Sequence, residues 1–117
     1  MLLTCIGRIS GRERTAPIGY FAWGDGVVIS FSSARWWINL RDGRSVRLLM
    51  RGQWRSAVPV VAETLEEKAG LLGEFVTRHD PRTAHRLYLG LPGAREPTQG
   101  ELVRAVERTV IVRFRFS

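Results

Sequence analysis

The sequence predicts an α+β fold, in which about six short antiparallel strands form a small barrel and two to four helices are inserted late in the chain. Short runs rich in β-branched and aromatic residues, separated by glycine-containing turns, occupy the first half of the chain. Two helix-capping patterns follow, and residues 109–116 alternate between two faces. With 117 residues, 44% of them apolar, we expect a single domain over residues 1–117.

The first three strands are predicted over residues 2–6, 14–22 and 27–31. A glycine- and serine-containing turn with arginines separates the first two, so they form a hairpin. The pair Asp25-Gly26 is typical of a tight turn between antiparallel strands, and it precedes the β-branched third run.

Residues 34–40 place Trp36, Trp37 and Leu40 at near-helical spacing, which predicts one or two helical turns that end at Asp42-Gly43. Apolar residues then alternate over 46–51 and again over 54–60, on either side of Gly52. These two runs predict a second hairpin.

Helices are predicted where capping residues precede apolar stripes. Thr64 and Glu67 have the spacing of a capping box and introduce an amphipathic helix over 65–79. Asp80-Pro81 starts a short helix through Tyr88, and a second capping box over 98–101 starts a helix to about Arg108. The final strand, 109–116, is expected to have one buried face.

The chain is strongly basic, with a formal charge of +7 at pH 7, and all of its 18 basic residues except Lys68 are arginine. An anionic partner is therefore expected, and a phosphorylated cofactor, nucleic acid and an acidic membrane surface all fit the sign of the charge. The alternation of the last strand points its arginines away from the apolar face, as expected of solvated residues, so we predict no nucleic-acid partner. Peripheral membrane contact stays open.

The cysteine and histidine content argues against a disulfide, a metal site and a catalytic thiol. Cys5 is the only cysteine, and the two histidines, His79 and His85, lie far from it in sequence without ligand-like spacing. The chain has no apolar run long enough to cross a bilayer and no secretory signal pattern. We therefore expect a cytoplasmic protein without a metal.

Residues 7–17 carry the strongest functional pattern, a Gly/Ser turn with three arginines between two predicted strands. Backbone N–H groups of such a turn can converge on one point, and arginine side chains bind phosphate or carboxylate in a bidentate manner. The local pattern is equally compatible with an ordinary hairpin turn whose arginines are solvated. The residues concerned are Arg8, Ser10, Gly11, Arg12 and Arg14.

The arginine turn, together with the later Trp-Trp-x-Asn-Leu stretch at 36–40, resembles the deazaflavin-dependent nitroreductase family over most of the chain. The resemblance implies a split β-barrel related to pyridoxamine-phosphate oxidases, which pairs into a homodimer. It also implies coenzyme F-420 as the cofactor, with FMN or FAD fitting less well, and hydride transfer to a quinone-like or nitroaromatic acceptor. No metal is implied.

By the same resemblance, the phosphate and carboxylates of the coenzyme tail would lie against the arginine turn, and the ring would lie beside Ser32, Ser33, Trp36, Trp37 and Asn39. Indole faces suit a planar heterocycle, although barrel core is the alternative role for the tryptophans. Tyr88 is a candidate hydrogen-bond donor to the reduced acceptor, with packing on the barrel as its alternative.

Two departures from the family pattern motivate a second hypothesis. Ile9 stands where the family has a lysine in the arginine turn, and the loop after the third strand is short. The alternative function is therefore a non-catalytic split barrel that carries a flavin, haem or a lipid-like ligand.

Overall fold

The computed structural model describes residues 2–6, 13–32, 40, 43–87 and 89–116. Seven strands and three helices lie in these ranges. The strands are β1 (Leu2–Ile6), β2 (Glu13–Pro17), β3 (Phe21–Gly24), β4 (Val27–Ser32), β5 (Val46–Met50), β6 (Gln53–Val61) and β7 (Val110–Phe116). The helices are α1 (Leu65–Arg78), α2 (Pro81–His85) and α3 (Gln99–Val106).

All seven strands belong to one antiparallel sheet with the order β2-β1-β5-β6-β7-β4-β3. Between the described residues of β2 and β3, at the two ends of this order, no ladder closes the sheet. Strands in one antiparallel sheet with helices in a separate stretch confirm the predicted α+β class, and the arrangement is consistent with a split barrel.

The predicted count of about six strands is corrected to seven, because the single strand expected over 14–22 is two strands. Pro17 ends β2, and a proline cannot donate a backbone hydrogen bond to a ladder. The chain then leaves the sheet, and the side chain of Ile18, only 8% exposed, enters the core of the strand region. Burial of Ile18 therefore interrupts a run that is apolar enough to look like one strand.

The β5–β6 hairpin confirms the prediction of a turn between these strands. Met50 pairs with Gln53, so the turn has two residues, Arg51 and Gly52, with φ of 50° and 79°. Positive φ at both positions is the geometry that matches the twist of a hairpin, and it is unusual for arginine. The predicted Asp25-Gly26 turn is also present, between β3 and β4.

One hydrophobic core belongs to the sheet. Leu3 of β1 and Val28 of β4 both lie in it, although three strands separate β1 from β4 in the sheet order. Strands so far apart can share a core only if the sheet curls, as sheets with a strong twist do. The buried members are Leu3, Ile18, Val28, Leu40, Val46, Leu48, Ala57, Val112 and Phe114.

The prediction that the last strand has one buried face is wrong for its first half. Phe114 and Val112 are buried on the face that points into the core, as expected, but Ile111 on the other face is also completely buried. β7 lies between β6 and β4 near the middle of the order, where both faces of a strand are more easily covered than at an edge.

The chain divides into two compact units, with Ala62–Thr109 forming the second one. We call Met1–Val61 together with Val110–Ser117 the sheet unit, and Ala62–Thr109 the helical unit. Within the helical unit α1 packs against α3, and a Cβ added at Gly73 would lie 3.2 Å from Cδ1 of Leu102. A glycine thus permits the close approach of these two helices. The expectation of a single domain stays a prediction.

The capping predictions hold and the helix ends need correction. Thr64 caps α1, and Thr98 and Glu101 form the complete capping box of α3. The short helix predicted through Tyr88 ends at His85, because the next backbone N–H groups bond to carbonyls only three residues back. The last helix ends at Val106 rather than Arg108. The turns predicted over 34–40 lie outside the described residues except for Leu40.

Candidate functional site

The strand registers bring several chain segments to the same end of the sheet. Ile6 pairs with Glu13, so residues 7–12 join β1 to β2 at this end. Neighbouring strands run in opposite directions along the order β1-β5-β6-β7-β4. Because β1 ends at this end of the sheet, β5 begins here, and β4 ends here at Ser32, opposite Val110. We call this the loop end of the sheet, because the segments 7–12 and 33–39 are both attached to it.

Both neighbours of the segment 33–39 are held by the sheet unit. Ser32, half-buried, is the last paired residue of β4, and Leu40 is only 1% exposed within the core. The carbonyl of Leu40 accepts a 3.2 Å hydrogen bond from the N–H of Gly43, whose φ of +72° favours glycine. The segment 33–39, which contains Trp36, Trp37 and Asn39, therefore follows a paired residue of β4 and precedes a core residue.

The β1–β2 hairpin has a cross-strand hydrogen bond that the sequence patterns did not reveal. Thr4 and Thr15 face each other in β1 and β2, and their hydroxyl oxygens are 2.8 Å apart in a hydrogen bond. Such pairs stabilise the register of a hairpin. Counting residues equally in both directions from the 7–12 turn would have brought these two threonines together.

The positive charge of the chain is concentrated in the sheet unit. This unit has eleven arginines and three acidic residues, a net charge of +8, whereas the helical unit has seven basic and eight acidic residues, a net charge of −1. Of the three acidic residues, Glu13 lies at the loop end, paired with Ile6, and Asp25 lies in the β3–β4 turn at the opposite end. An anionic ligand at the loop end therefore meets a field of the right sign.

Few of the predicted site residues lie in the described part of the chain. Ser32 lies at the loop end, and Arg14 lies in β2 opposite Cys5, one pair below Glu13. Tyr88, the candidate hydrogen-bond donor to the hydride acceptor, lies outside the described residues. The other predicted cofactor ligands outside them are Arg8, Ser10, Gly11, Arg12, Ser33, Trp36, Trp37 and Asn39.

Several charged groups of the helical unit have structural partners. Arg95 donates two hydrogen bonds to the carboxylate of Glu101, at 2.8 and 3.0 Å, and the N–H of Thr98 donates a third. The bonds from Arg95 and from Thr98 lower the pKa of Glu101 to about 2. The carboxylate of Asp80 accepts a hydrogen bond from the backbone N–H of Thr83, and this bond lowers the pKa of Asp80 as well. Both carboxyls are thus ionised at neutral pH and serve the helix starts.

The described residues offer neither a cluster of metal ligands nor a helix that could span a membrane. No group of three or more histidine, cysteine or acidic side chains is arranged to hold a metal ion there. None of the helices in the described ranges has both the length and the apolar character needed to cross a bilayer.

The chain was compared with known proteins. No curated protein matches it. The family model described as F420H(2)-dependent quinone reductase matches residues 1–86, which include the arginine turn and the Trp-Trp-x-Asn-Leu stretch. The match covers most of the chain and confirms the family resemblance. The protein therefore belongs to this quinone reductase family, whose members are oxidoreductases with coenzyme F-420 as the cofactor.

Proposed function

We propose that this protein transfers hydride from reduced coenzyme F-420 to a quinone-like acceptor, with nitroaromatic compounds as further acceptors. The observation that carries the proposal is the common origin of the segments 7–12 and 33–39 at the loop end of the strongly basic sheet unit. One segment has the residues for an anionic tail and the other has those for a planar ring. We further propose that the protein acts as a homodimer in the cytoplasm.

The arginine turn would bind the acidic tail of the coenzyme. Arg8, Arg12 and Arg14 can each form bidentate hydrogen bonds with phosphate or carboxylate, while Ser10 and Gly11 supply a hydroxyl and a backbone N–H. Each charge-assisted hydrogen bond contributes about 1.5–3 kcal/mol, so two or three of them would dominate the affinity. The hairpin bond between the hydroxyls of Thr4 and Thr15 supports the strands that present this turn.

The segment after β4 would hold the ring. Trp36 and Trp37 offer flat apolar faces, and the amide of Asn39 can both donate and accept hydrogen bonds, which sets the orientation of a heterocycle. Ser32 and Ser33 add hydroxyl groups at the start of the segment.

The bound coenzyme supplies the hydride, so the protein needs no strongly tuned acid or base. Its own residues hold the acceptor about 3–3.5 Å from the donor carbon and exclude water from between them. Tyr88 is proposed to donate a hydrogen bond to the acceptor oxygen as it gains charge.

Titration and turnover test the proposal in sequence. Purified protein is titrated with oxidised coenzyme F-420, whose fluorescence should change on binding, and the oxidation of the reduced coenzyme is then followed with a soluble quinone and with a nitroaromatic compound. We expect binding at micromolar concentrations and quinone-dependent oxidation. No binding at tens of micromolar would contradict the cofactor assignment, and binding of coenzyme, flavin or haem without turnover would favour the carrier.

A further inference from the structure

An outer face of the sheet unit combines exposed apolar and arginine side chains. Trp54 and Val60 of β6 are each 44% exposed, which is unusual for large apolar residues in the described part of the chain. The guanidinium carbon of Arg47 lies 5.0 Å from the centroid of the Trp54 ring. Alternation along β6 places Trp54, Val58 and Val60 on one face, away from the core residue Ala57. We call this surface the Trp54 face.

Strand pairing extends the Trp54 face across four strands. Trp54 lies opposite Leu49, which lies opposite Leu2, which lies opposite Pro17. Leu2 and Leu49 are half-buried, and Pro17 is exposed. Side chains directly opposite each other in an antiparallel sheet are on the same side. The result is an apolar row from the edge strand β2 to β6, with the exposed Arg47 beside it.

The charged side chains beside the apolar row are arginines. Arg115 is exposed opposite Val58, and the β5–β6 turn adds Arg51 at the end of the row. Among the described strand residues the one acidic residue is Glu13, which lies at the loop end of β2, four positions from Pro17. A second copy of the same face would bring arginine against arginine, which is unfavourable. An anionic partner is electrostatically complementary instead.

The apolar row distinguishes between anionic partners. An indole ring is stable where one side is apolar and the other wet, and arginine can keep its stem in an apolar layer while its charged group reaches the phosphates. The aliphatic residues Leu2, Leu49 and Val60 gain nothing from a nucleic-acid backbone, and stacking of successive bases needs more than one exposed aromatic ring. From this juxtaposition we propose that the Trp54 face docks the protein onto a bilayer surface that contains anionic phospholipid.

The strength of this docking should depend on the arginines of the Trp54 face and on the salt concentration. Each arginine close to an anionic surface strengthens binding about fivefold, and Arg47 with Arg115 would therefore contribute about 30-fold together. Salt screens this attraction within about 8 Å at physiological ionic strength, so affinity should fall as salt is raised. The docking does not depend on which acceptor the protein reduces, because Trp54, Arg47 and Arg115 lie outside both the arginine turn and the segment after β4.

Sedimentation with vesicles tests the proposal on the full chain. The protein is mixed, at low and at high salt, with vesicles of phosphatidylcholine alone or with vesicles in which about one lipid in three is phosphatidylglycerol. This fraction of anionic lipid gives a strong negative surface potential. We expect binding to the anionic vesicles that weakens with salt. Equal binding to both compositions, or binding to neither, would overturn the proposal.

Variants locate the contact. Arg47→Gln with Arg115→Gln should weaken vesicle binding about 30-fold, and Trp54→Ser should weaken it as well. Arg82→Gln with Arg104→Gln, an equal loss of charge in the helical unit, should leave it within about twofold, since neither arginine belongs to the strands that form the Trp54 face. Thermal unfolding checks that each variant folds. If Trp54→Ser does not fold, the double variant Arg47→Gln with Arg115→Gln still tests the proposal.

Three results would contradict the docking surface. Equal weakening by the face variants and by the helical-unit control would mean that net charge alone drives binding. Binding to duplex DNA that depends on Trp54, without vesicle binding, would assign the face to nucleic acid. A dimer by light scattering that Trp54→Ser converts to a monomer would assign it to a second copy of the chain.

Discussion

The sheet unit and the helical unit of this protein contain similar numbers of charged residues but use them differently. In the helical unit seven basic residues meet eight acidic ones, and some of the acidic groups cap helices or pair with arginines, as Glu74 does with Arg78 at 2.8 Å. In the sheet unit eleven arginines meet three acidic residues. Arginines in such excess repel one another, which disfavours the folded state unless an anion binds.

This difference separates charge that stabilises structure from charge that is available for ligands. Exposed pairs such as Arg78 with Glu74 contribute only a few tenths of a kcal/mol each, about 0.3–0.5 for helix pairs. An arginine that holds a phosphate or carboxylate in a bidentate manner contributes several times more. We therefore expect loss of arginines from the arginine turn to change binding, and loss of the charged pairs of the helical unit to change stability only slightly.

The largest effect is expected from Arg8→Gln combined with Arg14→Gln. Loss of two charge-assisted contacts of about 1.5–3 kcal/mol each should weaken coenzyme F-420 binding at least 100-fold. The matched control, Arg82→Gln with Arg104→Gln, removes the same charge from the helical unit. Fluorescence titration measures both dissociation constants, and an unchanged constant in the first variant would remove the arginine turn from the site.

Phe75→Ala should have the next largest effect, on stability alone. Phe75 is completely buried in α1, and truncation of a buried phenylalanine costs about 3–5 kcal/mol of unfolding free energy. The exposed Thr77→Ala in the same helix is the control and should change stability by less than about 0.5 kcal/mol. Urea unfolding gives both values.

The same variant also tests the division between the units. Under conditions where Phe75→Ala is still folded, its dissociation constant for the coenzyme should stay within about twofold of the parent value, because the change lies in the helical unit. A large loss of binding by folded protein would place coenzyme contacts in that unit.

A smaller effect is expected at the β5–β6 turn. Arg51 adopts φ of 50°, a left-handed conformation that costs a residue with a long side chain about 1 kcal/mol and that asparagine tolerates better. Arg51→Asn should therefore stabilise the sheet unit by up to about 1 kcal/mol in urea unfolding. Arg51→Val should destabilise it, because a β-branched residue fits this conformation poorly. Equal stability of the two variants would show that the turn changes its conformation.

The smallest effect concerns pH. The pKa of Glu101 is lowered from 4.5 to about 2 in the folded protein by Arg95 and Thr98. A lowered folded-state pKa contributes stability above pH 4.5 that is lost as the pH falls from 4.5 towards 2. The melting temperature of Glu101→Gln should therefore lie below that of the parent protein at pH 7 and approach it at pH 3. A constant difference between pH 7 and pH 3 would exclude this linkage.

Helix starts could be predicted from the sequence, whereas strand ends could not. Thr98 and Glu101 form their capping box through bonds three residues apart, so the letters alone contain the interaction. The end of β2 depends on Ile18, whose side chain leaves the strand for the core. Burial of Ile111 on the second face of β7 likewise depends on the position of that strand within the sheet order.

The candidate site divides in the same way. The arginine turn and the Trp-Trp-x-Asn-Leu stretch are motifs that the chain shows in linear form, and they were sufficient to identify the family. Their attachment to one end of the sheet follows only from the registers that carry Ile6 and Ser32 to that end. The Thr4–Thr15 bond and the Trp54 face also need strand pairing to be recognised.

The sequence by itself determined the fold class, the caps of the helices, the excess of arginine and the residue types offered to an anionic cofactor, because these depend on composition and on neighbours within a few positions. Only the tertiary structure decided the number of strands, the two-sided burial of β7, the shared end of the sheet and the exposed row beside Trp54. These depend on which distant segments pair, and pairing is decided by the burial of apolar surface across the whole sheet.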